Sequence, residues 1–281
     1  VSLKLAYLAS TPDAGPFAFG WNGDLKHIVA RLGAIGYDGL ELQVREPKLV
    51  DARALAKVVG SAGLSISGFG SAPISLLDKL HLIDADRDVR EHAIARFKEL
   101  LELASTFGVD ASIGRFRGML KSAPSRETGI AWLRAALEEC LPVAERLGVR
   151  IVLEPMNRGV ADFLNTVDET IAFIDSFASA ALTFEADLFH LAAEERSLIA
   201  SLVRAQRSGR MSYVQVSDSN RRAPGWGTFN WHGVIATLRN AGYDGWIAVE
   251  CLQEPGSEQC AVQARTVLDF QAVGNPSTRS S

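Results

Sequence analysis

Short apolar runs alternate with longer stretches of helical periodicity along the chain. Eight runs read as strands: Leu3–Leu8, Gly39–Gln43, Leu64–Phe69, Ala111–Arg115, Val149–Glu154, Ala181–Asp187, Met211–Ser217 and Gly245–Glu250. Between them, apolar residues recur at spacings of three and four, as in Leu133, Ala136, Leu137, Leu141, Val143, Ala144 and Leu147, which places them on one helix face. Gly36, Gly63, Gly108, Gly148 and Gly242 each end such a stretch just before the next strand. Glycine suits that place because a helix commonly stops on a left-handed residue. Strand then helix, eight times over, predicts the α/β class and a single (β/α)8 barrel over residues 1–272, with 273–281 as a flexible tail. The rival, a doubly wound open sheet, lacks its GxGxxG turn after the first strand. A pattern Leu-X-X-X-GYDG occurs at Leu32–Gly39 and again at Leu238–Gly245, each time at a helix-to-strand junction. That echo fits a repeated unit.

Alternate residues of a barrel strand point inward. In strand five Val152 and Glu154 share a face, in strand six Thr183, Glu185 and Asp187, in strand seven Tyr213, Gln215 and Ser217, and in strand eight Trp246, Ala248 and Glu250. Glu154, Asp187, Gln215 and Glu250 therefore aim at the barrel axis near the C-terminal ends, the face on which barrel enzymes carry their sites. Three inward carboxylates repel one another unless something compensates them. A hard divalent cation does so, because carboxylate and amide oxygens are its preferred ligands. Arginines inside the barrel do so equally, and Arg115, Arg158 and Arg221 are available. Glu41, inward on strand two, can reach the same site or form an internal ion pair.

Composition narrows the range. The chain has 281 residues, 47% hydrophobic and 22% charged, which excludes a disordered chain and supports a large core. A formal net charge of −4 gives no general electrostatic reason to bind nucleic acid or an anionic membrane. No run of about 18 uncharged apolar residues predicts a membrane span. The first residues, VSLKLAYLAS, lack the basic and apolar segments of a signal peptide. Cys140, Cys251 and Cys260 form no CxxC and cannot all pair, so a reduced, cytoplasmic compartment is expected.

The segments VLEPMNR (Val152–Arg158), ADLFH (Ala186–His190), VSDSNRRAPGWG (Val216–Gly227) and AVE (Ala248–Glu250) carry a likeness. Through them the chain resembles the xylose isomerase-like TIM barrels of the sugar phosphate isomerase/epimerase family over nearly its whole length. The gaps of 33, 28 and 35 residues between Glu154, Asp187, Gln215 and Glu250 are similar to that family's spacing. The resemblance implies that these four hold one divalent ion, Mn²⁺ or Mg²⁺ ahead of Co²⁺ or Zn²⁺. It implies that Glu154 and Glu250 also act as the acid/base pair on opposite faces of the substrate. It places His190 and Arg221 on substrate oxygens and Asn157 and Arg158 at the rim.

Two departures stand out. Many members, ketose 3-epimerases included, have His where this chain has Gln215, and Gln there resembles the hydroxypyruvate and oxotetronate isomerase branch. Ketose 3-epimerases also tend to carry Glu six positions after the first ligand, where this chain has Val160.

The activity so implied is isomerisation or epimerisation of a small sugar or hydroxy-carbonyl compound by proton transfer through a metal-stabilised enediolate. Elimination from a keto-sugar or keto-inositol on the same site, as in a dehydratase or lyase, is one alternative. A non-catalytic sugar-binding barrel is another. The family's endonuclease branch needs strand-end histidines and a basic track, which this acidic chain lacks. His27, His81, His92 and His232 fall away from the strand tops and read as surface or packing residues. Trp21 and Phe69 are candidates to stack on a sugar's apolar face, as are Phe116 and Trp226, with ordinary loop packing as the other reading. No phosphate-gripping glycine loop stands out apart from the weak APGWG segment (Ala223–Gly227), which favours an unphosphorylated substrate. The expected partners are that substrate and further copies of the chain in a dimer or tetramer, with no nucleic acid and no membrane.

Overall fold

The structure is a computed structural model and describes residues 3–270. The expected tail, 273–281, lies outside them. Eight strands, β1 (Lys4–Ser10), β2 (Gly39–Gln43), β3 (Ser65–Gly70), β4 (Asp110–Ile113), β5 (Ile151–Leu153), β6 (Leu182–Asp187), β7 (Met211–Val216) and β8 (Trp246–Val249), pair in sequence order. All pairings are parallel, and β8 pairs with β1 to close the barrel. Around it lie α1 (Leu25–Ile35), α2 (Ala52–Gly60), α3 (Ala72–Asp78), α4 (Arg87–Phe107), α5 (Arg126–Leu147), α6 (Val167–Asp175), α7 (Leu188–Glu194), α8 (Leu198–Arg207), α9 (Trp231–Asn240) and α10 (Ser257–Phe270). Every strand read from the sequence is present. The ends differ where they matter, since Glu154 and Glu250 each sit one residue beyond their strands, at the barrel mouth.

The core has two layers. Outward strand residues pack against the helices in one continuous cluster. Inside the barrel, Ala6, Val152, Tyr213 and Ala248 form a second, small cluster. Val152, Tyr213 and Ala248 are the inward neighbours of Glu154, Gln215 and Glu250, so the period-two reading holds for β5, β7 and β8.

The sequence echo has a physical basis. In the two copies Tyr37 and Tyr243 donate their backbone N–H groups to Leu32 and Leu238, after Gly36 and Gly242 at φ +99° and +76°. The last glycine of each copy is needed for close approach. A Cβ on Gly39 would stand 2.5 Å from the Ser65 carbonyl oxygen, and one on Gly245 would stand 3.0 Å from that of Ser212. All three cysteines are free and buried. Among the described residues no helix is long and apolar enough to cross a membrane.

Candidate active site

The C-terminal ends of β5 to β8 open on a cavity of about 220 Å³ that Glu154, His190, Gln215, Arg221 and Glu250 help to line. Asp187, fully buried, ends β6 and caps α7, its Oδ1 accepting the Phe189 N–H at 2.8 Å. That cap fixes the strand-to-helix turn and delivers His190 less than one helical turn later. The His190 Nε2 then stands 3.5 Å from Glu154 Oε1 and 3.9 Å from Asp187 Oδ2.

Both compensations expected for the inward carboxylates find support. Arg221 donates from Nη1 to Asp187 Oδ2 at 2.6 Å and from Nη2 to Glu250 Oε2 at 2.7 Å. Its guanidinium is held between the rings of Phe19 and Phe189, 4.9 Å from each centroid. Arg158 instead pairs with Glu194 at the surface, its side chain 72% exposed, and Arg115 lines the cavity wall.

The donor set also suits a cation. Ligand atoms of Glu154, Asp187 and His190 lie within 4.8 Å of one another. Gln215 Oε1 is buried and accepts no hydrogen bond. A buried acceptor without a donor is costly, and a hard cation satisfies it. Glu250, paired to Arg221, stands outside the 4.8 Å group, and His190 stands within it. The hydrogen bonds of His190 argue for the substrate role rather than ligation. The Asn157 backbone N–H, which can only donate, approaches Nδ1 at 3.3 Å, and Asn157 Nδ2 lies at 2.7 Å. Nδ1 is thus the acceptor, and neutral His190 carries its proton on Nε2, facing the carboxylates. Asn157 orients the imidazole from behind.

Electrostatics sorts these groups into acids and bases. Burial, then the charges of Asp187 and Glu250, raises Glu154 well above the carboxylate range. Burial likewise pushes Glu250 up to about 8, against the pull of Arg221. For Asp187 burial acts in the same sense, but Arg221, His190 and the α7 cap outweigh it and hold its pKa below the usual value. Burial lowers His190 to about 4, which keeps it neutral. One carboxylate held ionised therefore stands beside two whose pKa values are raised, Glu250 to about 8, and such a division between neighbouring carboxyls suits acid/base catalysis.

The aromatic wall is not the one read from the sequence. Trp21 extends the β1 edge, its backbone N–H donating to Leu8 at 2.9 Å, and its ring meets Tyr7 edge-on at 6.2 Å. It does not line the cavity. Phe69 does not either, because β3 bulges. Leu40 pairs with Ile66 but Glu41 pairs with Gly68, so Ser67 is the extra residue and Phe69 pairs with outward Leu42. Its ring packs on Phe107. Phe116 is fully buried against Phe97, and Trp226 borders a separate shallow groove. The rings that do line the cavity are Phe17, Phe19 and Phe189. The first two lie in an irregular loop, where no periodicity announces them. Gln43 also lines it, and alternation from Glu41 would have found it.

Two further residues hold the loops. Arg117, wholly buried, donates to the backbone oxygens of Glu154, Phe163 and Leu164, tying the segment after β4 to the loop after β5. Asp218 accepts from the N–H groups of Ser219, Gly225 and Phe229 and from the Trp231 indole. The Gly225 amide of the APGWG segment is thereby engaged within the loop.

Comparison with known proteins agrees with this architecture. The model of the xylose isomerase-like TIM barrel family matches residues 29–269. An L-ribulose 3-epimerase of Mesorhizobium japonicum is 27% identical over 239 residues, 82% of this chain and 77% of its own. A D-psicose 3-epimerase of Enterocloster bolteae is 25% identical over 251 residues, with the same coverage of 82% and 77%. The crystal structure of a 3-keto-D-glucoside 4-epimerase from E. coli superposes with a TM-score of 0.79 at 19% identity, over 96% of this chain and 99% of the other. With its closed eight-stranded barrel and a family match that takes in β2 to β8, the chain belongs to the xylose isomerase-like TIM barrel family.

Proposed function

We propose that this protein is a divalent-metal-dependent epimerase or isomerase of a small keto sugar. The observation that carries the reading is the placement of Glu154 and Glu250. Both open on one cavity, from strands three places apart in a ring of eight, so they face each other across it. Burial raises both carboxyls above their ordinary range, Glu250 to about 8, so each can hold a proton that an exposed carboxylate would have released. The epimerase relatives support the same chemistry.

Glu154, Asp187, Gln215 and Glu250 would hold the ion, and Mn²⁺ or Mg²⁺ suits their hard oxygens. Once bound, the ion would supply Lewis-acid polarisation of the substrate carbonyl. The protein's own groups carry the proton. One glutamate removes the proton α to the carbonyl, and the other delivers one to the opposite face of that carbon for epimerisation. Delivery to the neighbouring carbon gives isomerisation. The His190 Nε2–H and the Arg221 guanidinium donate to substrate oxygens and set which carbon lies between the carboxyls. Phe17, Phe19 and Phe189 cover the apolar face of the sugar and limit water. Val160, also in the wall, offers a carbon surface where ketose 3-epimerases tend to carry a carboxylate.

The test is incubation in D₂O with Mn²⁺ and a panel of ketoses and keto-glycosides, followed by NMR. Deuterium at one carbon with an inverted centre supports epimerisation, deuterium with a moved carbonyl supports isomerisation, and absence of exchange from every substrate and metal tried rejects the proposal.

A further inference from the structure

A glutamine ligand poses a problem that a carboxylate does not. Its amide has an oxygen end that binds a cation and a nearly isosteric NH₂ end that repels one. Something must choose between them. The barrel interior contains such a device beneath Gln215. Glu41, 2% exposed on β2, faces it across the barrel, and Gln215 Nε2 donates to Glu41 Oε1 at 2.8 Å and Oε2 at 2.9 Å. A carboxylate accepts and an amide NH₂ donates, so turning the amide over would set oxygen against oxygen. The opposite end, Gln215 Oε1, is the buried acceptor that lacks a donor, in a residue that lines the cavity.

The carboxylate is itself held. Gln43 Nε2 lies 3.5 Å from Glu41 Oε1, while Gln43 Oε1 accepts the Ala72 N–H at 3.3 Å at the start of α3. That N–H can only donate, so it fixes which end of Gln43 faces Glu41. Gly70 makes room for this amide, since a Cβ there would lie 2.1 Å from Gln43 Nε2. The chain of orientation runs from a backbone N–H through Gln43 and Glu41 to Gln215.

We infer that Glu41 is a positioning residue for the metal site, presenting the Gln215 oxygen rather than its nitrogen to the cation. The inference rests on the metal-dependent reading above. A carboxylate behind the NH₂ group also draws electron density toward the amide oxygen and makes a neutral ligand a better donor.

Mn²⁺ binding tests it, measured by calorimetry and by the electron paramagnetic resonance of the free ion, on the full chain. Glu41→Gln should weaken binding about 10- to 100-fold, the usual effect of losing a partner that orients a ligand. In a Gln215→Ala background the same change should cost less than about twofold, because no amide is left to orient. Melting curves without metal check that the variants fold. If Glu41→Gln does not fold, Glu41→Asp, which keeps a carboxylate but shortens its reach, is taken through the same cycle. Wild-type affinity in the folded Glu41 variant, or an equal loss with and without Gln215, overturns the inference. The metal-dependent reading is tested separately. If wild type binds Mn²⁺ and Asp187→Ala does not, that reading stands whatever Glu41 does. If wild type binds none, both fall.

Discussion

At the level of single residues, the site works by giving chemically equal carboxyls unequal surroundings. Glu154, Asp187 and Glu250 are all buried strand-end acids, yet only Asp187 has Arg221 and a helix cap together. Replacing Glu154 or Glu250 by Gln keeps the shape and removes the proton carrier. Each change is expected to lower kcat by about 10²- to 10⁴-fold, with loss of solvent deuterium exchange. Unchanged exchange in both variants would reject the acid/base assignment. The titration of Glu250 also leaves a mark on stability. Its folded pKa, about 8, lies above its ordinary 4.5, so the folded chain keeps a proton that the unfolded chain has released. That contribution is complete below pH 4.5 and is lost as pH rises through 8. His190 acts in the opposite sense, but only below its ordinary value of 6.5, since above it the ring is neutral folded or unfolded. Metal-free protein should therefore lose Tm between pH 6.5 and 8, and Glu250→Gln should make the decline shallower. Parallel curves would show that Glu250 does not titrate there.

The elements decide which side chains reach the site. The positions of Glu154, Gln215 and Glu250 were legible because alternation holds from Val152, Tyr213 and Ala248 onward, the irregularity of β7 against β6 falling at Ser212, before the site end. Phe69 was not, because one bulge at Ser67 reverses the faces for the rest of β3. Nothing local in that segment marks the extra residue. Arg117 was missed for a related reason, since its role is to satisfy carbonyls of a loop some forty residues further on. Glycines at the junctions give the tests at this scale. A Cβ on Gly114, just past β4, would lie 2.1 Å from Glu154 Oε2, the free end of a flexible side chain. Gly114→Ala should displace the carboxyl and cut activity at least tenfold while Tm shifts by only a few degrees. Gly39→Ala meets the Ser65 backbone instead, which cannot swing away. It should cost about 1–3 kcal/mol in denaturant unfolding. A neutral result at Gly39 would mean that β2 and β3 approach less closely than described.

On the scale of the whole molecule, closing the barrel gathers side chains from β2, β5, β6, β7 and β8 around one axis. The repulsion among them is the reason a cation should stabilise the fold. At a free concentration one hundred times Kd, Mn²⁺ is expected to add about 2.7 kcal/mol to the unfolding free energy. At one fixed Mn²⁺ concentration the gain should be larger at pH 8 than at pH 6.5, because a proton on Glu250 competes with the ion. Chelator should reverse it, and Asp187→Ala should abolish it. A melting temperature indifferent to Mn²⁺ at both pH values would count against a metal site built from these residues.

The sequence by itself determined the barrel, its eight strands, and the set Glu154, Asp187, Gln215 and Glu250 at one end. Periodicity and spacing are local or regularly repeated, and a barrel converts them into position without further information. Tertiary structure decided everything that depends on two distant segments meeting. It chose Arg221 over Arg158 as the arginine inside, Phe17, Phe19 and Phe189 over Trp21 and Phe69 as the aromatic wall, and the Nε2–H tautomer for His190. It also set Glu41 behind Gln215, a pair 174 positions apart. Hydrogen bonds of that kind are directional and short-ranged, so they exist only once the strands that carry them have closed into a ring.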